Sequence, residues 1–112
     1  MINKLIQLSK IFKEGFTVEV NNDTITQYNN TSKPYVVSYK TLIVINIGHH
    51  KNFYSVEIPN KCIIGGWMDT DTNTYYIELN KVYKSRSYAL KIAKKYNQKA
   101  VYNSSTGVVI NV

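Results

Sequence analysis

Apolar residues first recur at helical spacing. Ile2, Leu5, Ile6 and Phe12 share a stripe that Ser9 joins and Leu8 widens, so residues 2 to 13 predict an amphipathic helix ending at Gly15. The period then drops to two. Phe16, Val18 and Val20 alternate with Thr17 and Glu19, which predicts a strand with its aromatic and valine side chains inward. Asn21-Asn22-Asp23 supplies turn residues, and residues 25 to 28 return as a short strand. The polar run 29 to 33 reads as a loop, because Pro34 pushes the residue before it out of helical geometry. Residues 35 to 47 are β-branched and aromatic without a breaker, long for one strand, which predicts a bend or bulge near Lys40-Thr41. Gly48-His49-His50-Lys51-Asn52 turns the chain back. Tyr54, Val56 and Ile58 alternate with Ser55 and Glu57 to make a second hairpin, ended by Pro59-Asn60.

The stretch 65 to 102 then reads as one unit of strand, turn, strand, helix and strand. Within the apolar run 62 to 68, Gly65 and Gly66 remove side chains that would stand on the sheet, which predicts that something bulky covers them. Residues 69 to 74 close a hairpin; Tyr75, Ile77 and Leu79 point one way and Tyr76, Glu78 and Asn80 the other. Ser85 or Ser87 can cap a helix over residues 85 to 98. Its apolar stripe is Ala89, Ile92, Ala93 and Tyr96, with Lys91, Lys94 and Lys95 on the opposite, solvated side. A last hairpin joins residues 100 to 102 to residues 108 to 112 through Asn103-Ser104-Ser105-Thr106-Gly107. The expected fold is a single α+β domain over residues 1 to 112: an antiparallel sheet built from hairpins, with an N-terminal helix and a C-terminal basic helix packed on it.

Composition sharpens this picture in one place. The chain of 112 residues carries a net charge of +7. Residues 1 to 80 hold seven lysines and all seven acidic residues, Glu14, Glu19, Asp23, Glu57, Asp69, Asp71 and Glu78, and are neutral. The whole excess lies between residues 81 and 99, which contain no carboxylate. Thirteen lysines against one arginine, with many Asn, Ile and Tyr, match an A+T-biased gene of low-GC bacteria or their phages, so the lysine count alone is weak evidence of contact. The lone Cys62 makes no intramolecular disulfide, the N-terminus has no secretion-signal pattern, and no apolar run approaches the ~20 residues needed to cross a bilayer. The expectation is a cytoplasmic protein without a membrane partner.

Catalytic patterns are lacking. Asp69, Asp71 and Asn73 have the spacing of a calcium loop, but Thr74 stands where the tight turn wants Gly and Asn80 where a bidentate Glu should close the site. His49 and His50 are adjacent on a turn and point apart. No nucleophile lies in a hydrolase turn, and Gly65-Gly66 opens no helix that could cradle phosphate. No enzymatic activity, metal or cofactor is expected. The candidate binding residues are Lys81, Lys84, Arg86, Tyr88, Lys91, Lys94, Lys95 and Lys99, whose field attracts phosphate or acidic surface. With Arg86 the sole arginine, bidentate reading of guanine is poorly provided for, and phosphate contact is favoured over sequence recognition. Of the ten tyrosines, Tyr54 and Tyr75 are expected inward, and Tyr76, Tyr88 and Tyr102 at the surface.

The order of a helix, Gly15-Phe16-Thr17-Val18, Tyr35-Val36-Val37-Ser38-Tyr39, Gly65-Gly66-Trp67, Asp69, Tyr75-Tyr76, Ala89, Ala93, Asn97-Gln98, Ala100 and Tyr102 resembles a family of small accessory proteins of bacterial phages, plasmids and integrative elements. The chain departs from that pattern at residues 42 to 58, a hairpin where the family has a helix. The resemblance implies a habitat in which short proteins disable a host defence complex, in the manner of an anti-CRISPR inhibitor, or regulate the element's genes. The expected partner is a host defence effector protein or ribonucleoprotein, and the alternative is nucleic acid contacted directly. The oligomeric state is left open; pairing through a sheet edge such as residues 108 to 112 is a third, structural reading.

Overall fold

The structure is a computed structural model that describes residues 1–47 and 57–112, with the backbone alone of residues 51–53. Helix α1 (Ile2–Ile11) leads into the hairpin β1 (Gly15–Asn21) and β2 (Thr24–Gln27). The long β3 (Tyr35–Asn46) is followed by the short β4 (Lys51–Phe53), then by the hairpin β5 (Lys61–Asp69) and β6 (Thr74–Tyr83). Helix α2 (Arg86–Lys95) and the hairpin β7 (Ala100–Asn103) and β8 (Val108–Asn111) complete the chain. The strands form one sheet in the order β2-β1-β5-β6-β3-β7-β8, with β4 on the outer edge of β3. Every strand pair is antiparallel. This is the α+β architecture that the alternation predicts. Tyr54, with residues 55 and 56, and the Gly48-His49-His50 part of the predicted turn lie outside the described residues; Lys51 and Asn52, expected in that turn, instead begin β4, and Glu57 and Ile58, expected in the returning strand, lie in no strand.

Pairing register assigns the side chains to two faces. Phe16, Val18, Val20, Ile64, Tyr75, Ile77, Leu79, Ile43 and Ile45 fall on one, which α1 covers with Leu5 and Ile6. The same face carries a second, smaller core farther along β3, where Val37 and Val101 meet Ala89 and Ala93 of α2. Both helices therefore lie on one side of the sheet. Since β6 and β7 run the same way with β3 between them, α2 is a crossover helix and must bridge over β3.

Local chemistry explains the irregularities. The register of β3 against β6 shifts between Ser38 and Lys40 and again between Thr41 and Ile43, which lets β3 curve over its length. A Cβ on Gly66 would enter the Phe16 ring, and one on Gly65 would strike the Asn80 amide, so the covers of the glycine pair are a cross-strand ring and a polar side chain on opposite faces. Helix α1 stops at Ile11, short of residue 13. Phe12 leaves helical geometry, keeps its N–H on the Leu8 carbonyl and accepts the Tyr75 hydroxyl at 2.7 Å. Helix α2 occupies residues 86 to 95 within the predicted 85 to 98. Ser85 caps its start by accepting the Tyr88 N–H at 3.2 Å. Its end is a Schellman turn: Gln98 N–H donates to Ala93 O, Asn97 N–H donates to Lys94 O, and Asn97 takes a positive φ of 55°.

The helix-free face buries polar side chains. Glu78 and Asn80 point there as predicted, but both are buried. Glu78 accepts from Trp67 Nε1 at 2.7 Å and from the Thr41 hydroxyl at 3.0 Å. The Asn80 amide, oriented to satisfy both ends, accepts the Gly65 N–H at 3.1 Å and donates to Ser38 Oγ at 2.8 Å. Tyr76, expected at the surface, is half-buried because it stacks on Trp67 at 4.9 Å. Tyr28 is buried and donates to the Lys33 carbonyl at 2.6 Å, tying down the segment that carries the chain from β2 to β3. No helix among the described residues is long and apolar enough to cross a membrane.

Candidate functional site

Helix α2 is the element that displays the basic segment. Its two alanines are fully buried against Val37 and Val101, with Leu90 and Ile92 partly buried beside them, and their small size lets the helix sit close to β3 and β7. Residues 91, 94 and 95 are then directed away from the sheet, and Lys91, Lys94 and Lys95 are all exposed. Lys84 and Arg86 stand exposed at the start of the helix and Lys99 beyond its Schellman turn. Ten residues of helix span about 15 Å and carry four of these charges, Arg86, Lys91, Lys94 and Lys95, while Lys84 and Lys99 extend the basic segment past its two ends. Lys81 is the exception. It projects from β6 on the same side of the sheet, with its Nζ 5.0 Å from the Tyr39 ring centroid.

The six do not have equal structural explanations. Lys94 and Lys95 occupy the last turn of α2, where a cation complements the helix dipole. Arg86 occupies the first turn, which has no carboxylate, so its charge opposes the dipole. Arg86 and Lys91 thus gain nothing from the helix they stand on.

Aromatic rings line one flank of the band. Tyr88, Ile92 and Tyr96 recur every four residues, on the side of α2 that faces β6 and the start of β3. Tyr88 meets Tyr83 edge-on at 5.3 Å, and Tyr96 tilts against Tyr39 at 6.4 Å. Tyr88 is 50% exposed and Tyr96 37%. Burial, then the phenols of Tyr88 and Tyr96, push the Tyr83 hydroxyl up; burial, then Cys62 and Tyr96, do the same for Tyr39. Of this group the sequence pointed only to Tyr88 and Lys81. The others escape because Tyr39 comes from a strand more than forty residues away, and because helical spacing alone reads Tyr96 as core. Tyr102 is exposed as expected, but its register pair Val36 places it on the helix-free face, away from the band.

The carboxylates complete the electrostatic picture. Glu19, Asp69 and Glu78 share the helix-free face, together with Lys61. Glu19, Asp69 and Glu78 thus lie on the face of the sheet opposite the α2 cations.

Among the described residues the other candidates form no site. Asp69 Oδ1 accepts the Asp71 N–H at 3.0 Å and stabilises its own turn. Among the described residues, no three His, Cys, Asp or Glu side chains converge on a point where a metal could bind. Cys62 is half-buried, and burial pushes its thiol up, away from the reactive thiolate. Strand β8 is a sheet edge on which Val108 and Val109 are exposed. Comparison of the chain with protein-family models, with curated proteins and with solved structures finds no match.

Proposed function

We propose that the chain is a non-enzymatic binding protein of a phage or mobile element, and that it inhibits a host defence nuclease complex by docking its α2 face on a nucleic-acid-bearing groove. One observation carries the reading: Arg86, Lys91, Lys94 and Lys95 are exposed on one ten-residue helix, Lys84 and Lys99 are exposed just beyond its two ends, and no carboxylate interrupts the segment. A rod of that length with cations along it matches the spacing of phosphates on a polyanion better than a compact pocket would. The sequence resemblance supplies the biological setting.

The test uses the purified chain as bait in lysates of low-GC bacterial hosts, with and without nuclease treatment, followed by cleavage assays on whatever nuclease complex is retained. Retention and inhibition by the wild-type chain, both lost in a Lys91→Glu/Lys94→Glu/Lys95→Glu variant of unchanged stability, is the expected result. Failure to retain or inhibit any nuclease complex across candidate hosts overturns the reading. A nucleic-acid-binding regulator that contacts phosphates without sequence specificity rests on the same band, and it is favoured if nuclease treatment removes every partner.

A further inference from the structure

We infer that Tyr88 and Tyr96, with Lys81 beside them, form a stacking site for the bases of a single-stranded nucleic acid whose phosphates follow Lys91, Lys94 and Lys95. The inference rests on the proposed role of the α2 face and names what that face grips.

Phosphate attraction alone does not account for the surface. A duplex or a polyanion without bases would use the lysines and gain nothing from two large rings left in water. A single strand offers both charges and unstacked bases, and aromatic side chains beside a cationic track are the usual way such strands are held. Here the rings lie on the flank adjoining the outward lysines, with residues 88 and 96 about 12 Å apart along the helix. Each ring is braced from behind, Tyr88 by Tyr83 at 5.3 Å and Tyr96 by Tyr39 at 6.4 Å. Bracing limits how far an exposed ring can collapse onto the surface, so less freedom is lost when a base stacks on it. Lys81, 5.0 Å from the Tyr39 ring centroid, places a further cation on the strand side of the rings. The band and Lys81 thus flank the aromatic strip from both sides. Arg86 is the sole arginine, so the site lacks the forked donors that read guanine edges, and its preference is for unpaired bases of any kind.

The experiment measures binding of the full chain to 12-nucleotide oligo(U) and oligo(dT), a 12-base-pair duplex, inorganic polyphosphate and poly-glutamate at one salt concentration. The single strands are expected to bind about tenfold tighter than the duplex or polyphosphate. Tyr88→Ala and Tyr96→Ala should each lower single-strand affinity by about tenfold while leaving polyphosphate binding unchanged, and Tyr88→Phe and Tyr96→Phe should retain it. Equal affinity for single strand and polyphosphate, or alanine variants that bind as the wild type does, overturns the stacking site and leaves the cationic band standing. Poly-glutamate binding as tight as that of the single strands overturns it in favour of an acidic protein surface. If no probe binds at low ionic strength, the α2 reading itself fails.

Discussion

The two helices are equal in length and lie on the same face of one sheet, yet the sheet uses them differently. α1 inserts Leu5 and Ile6 into the larger core and fixes its own end through the Tyr75 hydroxyl. α2 fully buries only Ala89 and Ala93, with Leu90 and Ile92 partly buried against the same small core, and sends its lysines outward. α1 also carries cations, but Lys4 is engaged with the Asp23 carbonyl at 3.1 Å, and only Lys10 accompanies it within the helix. The contrast teaches that a helix seated on two alanines needs little fully buried side-chain volume, and that its outward positions then become available for recognition.

The difference can be broken at α1 first. Leu5→Ala should cost about 3 kcal/mol in chemical denaturation, because the removed side chain is fully buried among aliphatic neighbours. On α2 the damaging change has the opposite sign of volume. Ala93→Leu should cost about 2 kcal/mol by lifting the helix from Val37 and Val101, whereas Lys91→Gln, Lys94→Gln and Lys95→Gln should leave the unfolding midpoint in place. The α1 anchor also has a pH signature. Burial raises the Tyr75 pKa from 10.0 to about 12, so its contribution is fully present below pH 10 and is lost as pH rises towards 12. Tyr75→Phe should cost about 1 kcal/mol at neutral pH through loss of the bond to the Phe12 carbonyl, and should flatten the alkaline decline. The smallest effect belongs to the α2 cap: Ser85→Ala should cost about 1 kcal/mol or less, read as faster amide exchange in the first turn.

Much of this was legible in the chain because it depends on near neighbours. The alternation of Phe16 to Val20 and of Tyr75 to Leu79, the bulge near Lys40, the Ser85 cap and the lysine side of α2 all follow from local period and backbone chemistry. What stayed hidden depends on strand order. The alternation gives the direction of Glu78 but not its burial, which follows from β3 and β5 bringing Thr41 and Trp67 to its two oxygens. The burial of Asn80 depends in the same way on Gly65, which makes room for its amide. The tyrosine strip is assembled from β3, β6 and α2, and no spacing in the sequence connects Tyr39 with Tyr96. The lysines could be aimed within their own helix, opposite Ala89 and Ala93, but which face of the sheet carries that helix depends on the strand register.

The most direct test of the α2 account is the salt dependence of oligo(U) binding by the wild type and by the Lys91→Gln/Lys94→Gln/Lys95→Gln variant. The account predicts a steep log–log slope for the wild type, reduced by about 0.7 for each lysine that contacts a phosphate, roughly two units in the triple variant. A slope that is the same in both proteins would contradict it, since the outward face of α2 would then have no part in gripping the anion.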